Sequence, residues 1–176
     1  MRPPTTEDAL LVVAAFSGHA DALAWARRRL SEAFGPLGLV GEPFSFHHTA
    51  YYAPTMGSDL FKQLLVFDRL VPLDSLAKWK RAAIDLEAEL AGRYPEARPL
   101  NLDPGLLTLG KFMLATTKDQ AHRIYLGDGV FAEVTLRYCD GAWEPWPWTY
   151  ADYREESVRR FLNEAREYYK RRLRDS

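Results

Sequence analysis

An uninterrupted apolar run near the start of the chain constrains the fold more than any other feature. Residues 9 to 16 read Ala-Leu-Leu-Val-Val-Ala-Ala-Phe and end at Ser17-Gly18. A strand with one face in water alternates apolar and polar residues, whereas this run has no polar position on either side. Its length and its valines are typical of a strand. The run therefore predicts a strand in a sheet that is covered on both faces.

Length and composition limit the class of protein. The chain has 176 residues, of which 47% are hydrophobic and 27% charged, values typical of one globular domain spanning 1–176 and not of a disordered or fibrous chain. A net charge of −1 argues against a dedicated nucleic-acid coat. The single cysteine, Cys139, cannot form an internal disulfide, and neither a secretory signal nor an apolar stretch of about 20 residues is visible. We expect a soluble, cytoplasmic protein with no membrane segment, in which residues 1–8 are disordered.

The first hundred residues predict an α+β fold. Apolar residues recur every three or four positions from His19 to Phe34, which predicts a helix that Gly35-Pro36 ends. Strands are predicted at 38–46, where Pro43 indicates an edge or a bulge, and at 62–71. Asp74 is expected to cap a second helix, whose buried stripe is Leu76, Trp79, Ala83, Leu86 and Leu90. With a weak strand near 99–102, this order matches the split β-α-β arrangement of ferredoxin-like folds.

The next segment, 105–117, fits two structures. Leu106, Leu109 and Met113 have helical spacing, whereas residues 112–115 (Phe-Met-Leu-Ala) also fit a buried strand. A short helix is the favoured interpretation.

Two turn signals predict an antiparallel β-meander over 122–148. Gly127-Asp128-Gly129 separates two alternating runs, and Asp140-Gly141 is typical of a two-residue hairpin. These turns place Arg123 opposite Glu133 and Arg137 opposite Glu144, both of them pairs of opposite charge. The core face is predicted to carry Ile124, Leu126, Ala132, Val134 and Leu136, and the exposed face Arg123, Tyr125, Glu133, Thr135 and Arg137.

The tail is predicted to form a basic helix. Residues 154–174 carry eight Lys or Arg and four Glu, a local charge of +4, with Val158, Leu162 and Ala165 on one side. Glu early and Arg late in the segment also suit the helix dipole.

The segment from Gly105 to Lys111 has the spacing of a phosphate-binding P-loop. However, Phe112 stands where such a loop carries the hydroxyl that binds magnesium. Pro104 also precedes it where an apolar strand is required, and the loop interior is Leu-Leu-Thr-Leu. The sequence therefore argues against a P-loop.

Polar residues concentrate between 101 and 133. They are Asn101, Asp103, Lys111, Lys118, His122, Arg123 and Glu133. Lysine and arginine suit a phosphate or carboxylate, and carboxylates and histidine suit acid–base chemistry. The candidate catalytic residues are therefore Asp103, His122 and Glu133. The candidate ligand-binding residues are Lys111, Lys118 and Arg123, with Tyr51 and Tyr52 as a lid. The alternative is that Arg123 and Glu133 only pair across the hairpin while the lysines are solvated.

Other side-chain groups give weaker signals. Neighbouring histidines on a strand point to opposite faces, so His47 and His48 do not predict a metal site even with Asp59 nearby. The aromatic residues of the loops suit either stacking on a ligand or closure of the core, and core closure is the favoured interpretation. They are Tyr51, Tyr52, Trp143, Trp146, Trp148, Tyr150 and Tyr153.

Several longer motifs resemble one known family. They are residues 43–46, 51–52, 56–57, 101–105, 114–118, 122–127, 132–136 and 147–150. In these motifs the chain is similar to an uncharacterised bacterial family described as a domain of unknown function, whose members often carry the label GTP-binding protein. The resemblance runs from the first strand to about Tyr153, and the basic tail helix is less typical of the family. Thr55 and Gly110 depart from the acid and the serine that the family pattern implies, and the family supplies no established activity.

Two functional hypotheses follow from the sequence. The first is a protein that binds a phosphorylated or nucleotide-like small molecule. The second is a non-enzymatic module that contacts RNA or a protein through its basic tail helix. The sequence assigns no cofactor and no metal, and it leaves open both catalysis and oligomeric state.

Overall fold

The apolar run forms the centre of a sheet. In the computed structural model, which describes residues 8–46 and 51–176, β1 spans Ala9–Ser17 and is buried along its whole length. It pairs antiparallel with β4 (Leu60–Val71) on one side and with β5 (Asn101–Leu107) on the other. The predicted strand with two buried faces is therefore confirmed. The predicted disorder of residues 1–8 falls almost wholly outside the described residues.

The sheet extends outwards from these three strands. The other strands are β2 (Leu37–Val40), β3 (Phe44–Phe46), β6 (Lys111–Thr116), β7 (Ile124–Gly127), β8 (Val130–Cys139) and β9 (Ala142–Pro145). Among the described residues the sheet has nine strands in the order β2-β4-β1-β5-β6-β8-β7, with β3 beside β4 and β9 beside β8. All of these pairings are antiparallel. Together with the helices they make the protein α+β, as the sequence predicts.

Helices cover both faces of the sheet. On one face, α1 (Ala20–Phe34) and α3 (Leu76–Leu90) pack on alternate residues of the central strands. On the other face, α4 (Glu156–Arg174) buries Val158, Leu162, Ala165 and Tyr169 against the remaining residues. A one-turn helix, α2 (Ala53–Met56), lies between β3 and β4. Within the described part of the chain, no helix has the length and apolar character needed to cross a membrane.

The sequence prediction is wrong at 105–117, where a short helix was favoured. This segment forms the end of β5, a turn and β6, with Gly105 opposite Leu114 and Leu107 opposite Phe112. A strand that is buried on both faces does not alternate, so its apolar run is hard to distinguish from a helix by pattern alone. Pairing with β8 along the length of β6 decides the structure.

Two local expectations are also corrected. Asp74 does not cap α3: it lies in a 3-10 turn, Leu73–Ser75, and no side-chain cap bond is formed at the helix start. The single strand expected at 38–46 is interrupted between β2 and β3, where Gly41 N donates to Leu64 O. Pro43 stands in this interruption, as its missing N–H predicts.

The predicted meander is confirmed, but its inner and outer faces are not. Arg137 lies opposite Glu144 with an ion pair of 3.0 Å, and Arg123 pairs with Glu133 at 3.2 Å. Ile124 is nevertheless 72% exposed, while Glu133 is 3% exposed. The reason is that β7 is an edge strand, whereas the face that carries Glu133 also carries Leu114 of the α4-side core.

Of the remaining residues that the sequence assigned to the inner and outer faces of the meander, some lie as predicted and others do not. Leu126 is exposed, Ala132 and Val134 are half-buried, and Leu136 is buried as predicted. Arg123 and Thr135 are buried rather than exposed. The tail helix is confirmed as α4.

Candidate functional site

A cavity opens where two neighbouring strands stop pairing. β5 and β6 pair from Gly105 to Leu107, and toward the start of β5 that pairing ends while β6 continues along β8 to Thr116. A cavity of about 330 Å³ lies at this point, on the α4 side of the sheet and just before α4 begins. Its walls come from β4, β5 and β6, from the 51–52 and 118–120 segments, and from residues 150–153.

An ion pair lies in the wall of this cavity. Lys62 Nζ of β4 donates to Asp152 Oδ2 at 2.5 Å, and the two side chains are only 5% and 2% exposed. The same ammonium lies 4.9 Å from the ring centre of Phe16 and 5.2 Å from that of Tyr153. Lys62 belongs to the cavity because it precedes Leu64 by two positions on β4, which places both on the α4 side of the sheet.

A second buried lysine holds the carboxylate of Asp103. Lys80 Nζ, from α3, lies 3.1 Å from Asp103 Oδ1 and 3.1 Å from Leu102 O. Burial alone would raise the pKa of Asp103, but the charges of Lys80 and Lys62 outweigh it and lower that pKa. Asp103 is therefore ionised at neutral pH. Its side chain keeps 24% exposure toward the cavity.

Tyrosines and one lysine form the mouth of the cavity. Lys118 Nζ hydrogen-bonds Tyr51 Oη, and this bond lowers the pKa of Tyr51. Tyr52 packs edge-on against Tyr51 and Phe16, with ring centres 5.1 Å and 4.9 Å away, and burial raises its pKa. Arg98 fixes this segment because its backbone N–H donates to Thr55 O at 2.8 Å.

One buried polar group in the cavity wall has no hydrogen-bond partner among the described residues. It is Tyr153 Oη, whose residue is 2% exposed and lines the cavity. Burial raises the pKa of Tyr153 well above its usual value, so its hydroxyl stays protonated and is able to donate. A buried polar group without a partner costs free energy, so a ligand that supplied an acceptor to this hydroxyl would gain a hydrogen bond.

A neighbouring cluster is built around Glu133. Its Oε2 accepts from Arg123 Nε at 3.2 Å and lies 2.7 Å from His122 Nε2, while Thr135 Oγ1 donates to Oε1 at 3.4 Å. His122 stacks on Trp148 with ring centres 5.1 Å apart.

This cluster is joined to the cavity by one side chain. Arg123 donates to Lys118 O at 3.0 Å and to Tyr150 Oη at 2.9 Å, and both of those residues line the cavity. The cluster therefore fixes part of the cavity wall, and its own charges are largely satisfied within the protein.

The structure gathers most of the residues singled out from sequence, with one exception. Asp103, Lys118, Tyr51 and Tyr52 line the cavity, and His122, Arg123 and Glu133 form the adjoining cluster. Lys111 lies apart from them: it is exposed at the other end of β6, opposite Arg137. His47 and His48 lie outside the described residues. Among the residues that are described, no group of three or more His, Cys, Asp or Glu is arranged to hold a metal ion.

Sequence reasoning missed Lys62 and Asp152, and it named Tyr150 only among the loop aromatics that were expected to close the core. Lys62 carries a usable signal, because it lies two positions before Leu64 in a strand predicted to be buried, and a buried lysine needs a partner. Asp152 carries no such signal, since it follows the meander in a short irregular segment. The other aromatic residues close the structure: Trp143 is in the core, and Trp146 stacks on Trp148 at 5.3 Å.

The segment with P-loop spacing is part of a β-hairpin. Gly105 lies within β5, Lys111 begins β6, and the residues between them form the turn. A P-loop instead leads from a strand into a helix whose N-terminus binds the phosphate. The glycine and lysine spacing therefore does not form that site here.

A larger cavity, of about 400 Å³, lies between β2, β3 and α4. Its wall is built largely from apolar side chains such as Leu39, Phe44 and Phe161, and its arginine, Arg160, already pairs with Glu156. The cavity between β5 and β6 is the better candidate because it combines buried charges with the hydroxyl of Tyr153, which has no partner in the described part of the chain.

These features define an α+β protein with an antiparallel sheet and a polar, tyrosine-rich cavity beside its splayed central strands. The chain belongs to a family known only as a domain of unknown function (DUF4416), whose sequence model matches residues 7–169. That match covers α4 as far as Tyr169, whereas the residues that give the tail its positive charge, Lys170, Arg171, Arg172 and Arg174, lie beyond it. No curated protein and no solved structure matches the chain.

Proposed function

We propose that the cavity between β5 and β6 binds a phosphorylated, nucleotide-like small molecule. The observation that carries the proposal is the mouth of the cavity, where Lys118 stands among tyrosine rings. The contact of Lys118 is the phenol oxygen of Tyr51 rather than a carboxylate, so its positive charge is available to an anion. The same ammonium lies 3.7 Å from the centre of the Tyr51 ring, which is 60% exposed, so an anion bound by Lys118 would lie beside an aromatic surface.

Nearby cations strengthen this interpretation. Arg98 Nη2 donates to Asn101 Oδ1 at 2.6 Å, which holds a second cation two positions from Asp103 along β5. Asp103 and Asp152, by contrast, each have a lysine partner inside the cavity. Positive potential is therefore concentrated at the entrance, where a phosphate would remain partly hydrated.

The experiment compares two lysines of the same chain. Thermal-shift measurements with millimolar AMP, GTP, glucose 6-phosphate and inorganic phosphate identify a stabilising ligand, and calorimetry gives its Kd. We expect Lys118→Ala to weaken binding by about tenfold or more, because it removes a charged hydrogen-bond donor. Lys111→Ala is the matched control and should leave binding unchanged, since Lys111 is exposed outside the cavity.

Two results would contradict the proposal. One is the absence of any stabilisation with the whole ligand panel. The other is a ligand that binds equally well to the native protein and to Lys118→Ala. Loss of GTP binding in Lys111→Ala alone would instead support a site in the 105–111 hairpin.

The alternative role for the basic helix has less support. Arg159 donates to Trp143 O, Arg166 donates to Leu109 O, and Arg172 pairs with Asp68. Much of the positive charge of α4 is therefore used in contacts within the chain. Binding of RNA that weakens as salt is raised, and that is lost when basic residues of α4 are replaced, would favour this second role.

For the fold, we infer that residues 9–107 form a ferredoxin-like core. The strand order β2-β4-β1-β5 with wholly antiparallel pairing, and two helices on one face, is the arrangement expected of a split β-α-β unit. The meander and α4 would then be additions to that core.

A further inference from the structure

We infer that the floor of the cavity recognises the neighbouring hydroxyl groups of a sugar. This inference rests on the proposed function, and it makes the ligand a sugar phosphate or a ribonucleotide rather than a deoxy compound. Asp103 would accept hydrogen bonds from the sugar, and Tyr153 would donate one to it.

The charge balance of the floor selects a neutral polar group. Lys62 pairs with Asp152 and Lys80 pairs with Asp103, so each of these cations is matched by a carboxylate. A second phosphate gains little attraction from such a floor. An apolar group would strip water from four charged side chains without replacing its hydrogen bonds. A neutral group that both donates and accepts hydrogen bonds needs no net positive charge and replaces the hydrogen bonds of the displaced water.

Asp103 supplies acceptors that the protein does not exhaust. Lys80 donates to its Oδ1 and the side chain of Asn101 also hydrogen-bonds this carboxylate, whereas an ionised carboxylate has about four lone-pair sites on its two oxygens. Since this carboxylate is ionised and partly exposed to the cavity, it cannot donate, and its remaining lone pairs can accept from a ligand. Two adjacent hydroxyls match the two oxygens of one carboxylate, which is how carboxylates recognise ribose in dinucleotide-binding folds.

Tyr153 supplies the complementary donor. Its hydroxyl is buried at the cavity wall without a partner among the residues that the structure describes. A sugar hydroxyl has one proton to donate and lone pairs to accept, so one such group can satisfy a carboxylate and a tyrosine together. A site built in this way discriminates strongly against an analogue that lacks the hydroxyl, because buried polar groups are then left unpaired.

The first test uses matched pairs of probes on the native protein. Calorimetry compares ribose 5-phosphate with 2-deoxyribose 5-phosphate, and AMP with 2′-deoxy-AMP. We expect the hydroxylated member of each pair to bind about tenfold more tightly or better, as for loss of a hydrogen bond to a charged group. Equal binding within both pairs would overturn the inference and leave the proposed function standing.

The second test removes one oxygen from the protein. Tyr153→Phe deletes a hydroxyl that has no partner within residues 8–46 and 51–176, so the fold should be as stable as before, while the preference for the hydroxylated probe falls about fivefold. Tyr138→Phe, whose ring lies under Arg166 away from the cavity, is the matched control and should keep the full preference. Asp103→Asn should reduce the preference further, because the amide is uncharged and keeps only one acceptor oxygen.

The outcomes separate this inference from the proposed function. A preference that survives in both Tyr153→Phe and Asp103→Asn would overturn it, since neither residue would then read the sugar. If none of the four probes binds, the inference is also overturned. The proposed function is then decided by the other phosphorylated ligands of its own panel.

Discussion

The two faces of the sheet are built from the same strands but are covered differently. Toward α1 and α3, alternate residues of β1 and β4 pack against continuous apolar stripes of the two helices, and charged side chains of α3 reach the sheet only at β5, where Lys80 and Glu87 bond to the backbone of Leu102. Toward α4 the cover is apolar only where the helix lies, over residues such as Val12, Leu64 and Val66. Just before α4 begins, residues 150–153 cover the sheet in place of a helix. The strands under this segment carry Lys62 and Asp103.

This contrast follows from what covers the sheet, a helix or a short irregular segment. A helix covers a sheet with side chains alone, because its backbone polar groups bond to one another. A short irregular segment brings polar atoms to the sheet, here Asp152 and the hydroxyls of Tyr150 and Tyr153. Buried ion pairs contribute little net stability, and charged groups gather at functional sites, which is why we place the proposed ligand site at this end of the sheet.

The largest expected effect comes from breaking the ion pair of the polar end. Lys62→Met leaves Asp152 buried without its cation, and we expect a loss of about 3–5 kcal/mol in the free energy of unfolding. Phe67→Ala on the apolar face should cost a similar amount, about 3–5 kcal/mol, by opening a cavity in the core. Urea denaturation measures both.

Recovery of stability in a double variant distinguishes the two faces of the sheet. The double variant Lys62→Met with Asp152→Leu replaces the pair by apolar side chains and should recover much of the lost stability, because no unpaired charge remains. A double variant as unstable as Lys62→Met alone would contradict this account and would make the pair a net stabiliser, like the packing of Phe67.

A smaller effect is expected at Gly105, where the closed sheet gives way to the cavity. A Cβ at this position would lie 2.5 Å from Met113 O, a backbone atom of the neighbouring strand. Gly105→Ala should therefore separate β5 from β6 and cost about 1–3 kcal/mol in unfolding free energy. Gly110→Ala is the matched control: a Cβ there meets nothing within 4 Å, so its effect should stay within about 0.5 kcal/mol. Equal effects of the two substitutions would contradict the hairpin and favour a loop in which both glycines matter.

The elements that could be predicted from sequence are those whose pattern has one interpretation. The run at 9–16, the helical periods of α1, α3 and α4, and the turn signals of the meander each specify one structure. The 105–117 segment could not be predicted because its apolar residues satisfy both a helix and a doubly buried strand. The decisive pairing with β8 involves residues that come later in the chain.

The candidate site was predictable only in part, for a related reason. Asp103, Lys118, Tyr51 and Tyr52 carry chemistry visible in the sequence, but their proximity depends on the splaying of β5 from β6. Lys111 has the same chemistry as Lys118 and lies at the other end of the same strand region, so residue type alone could not separate them. The orphaned hydroxyl of Tyr153 is a property of packing, and no sequence signal reports it.

The smallest expected effect is a difference in pH dependence between the faces. Lys80 and Lys62 lower the pKa of Asp103 below its usual 3.8, so Asp103 stabilises the fold above that pH and loses this contribution as pH falls below it. Glu87, which accepts from Leu102 N, has a pKa raised by burial, so its contribution instead declines as pH rises. The charge of Asp103 contributes to that rise, so Glu87 does not cancel between native and variant, and the comparison is made in a Glu87→Gln background. In that background the stability deficit caused by Asp103→Asn should shrink between pH 6 and pH 3, as measured by urea denaturation. Leu65→Val on the apolar face is the control: it removes no titrating group, so its stability deficit should be the same at pH 6 and at pH 3. A deficit of Asp103→Asn that is also the same at the two pH values would contradict an ionised Asp103 held by the two lysines.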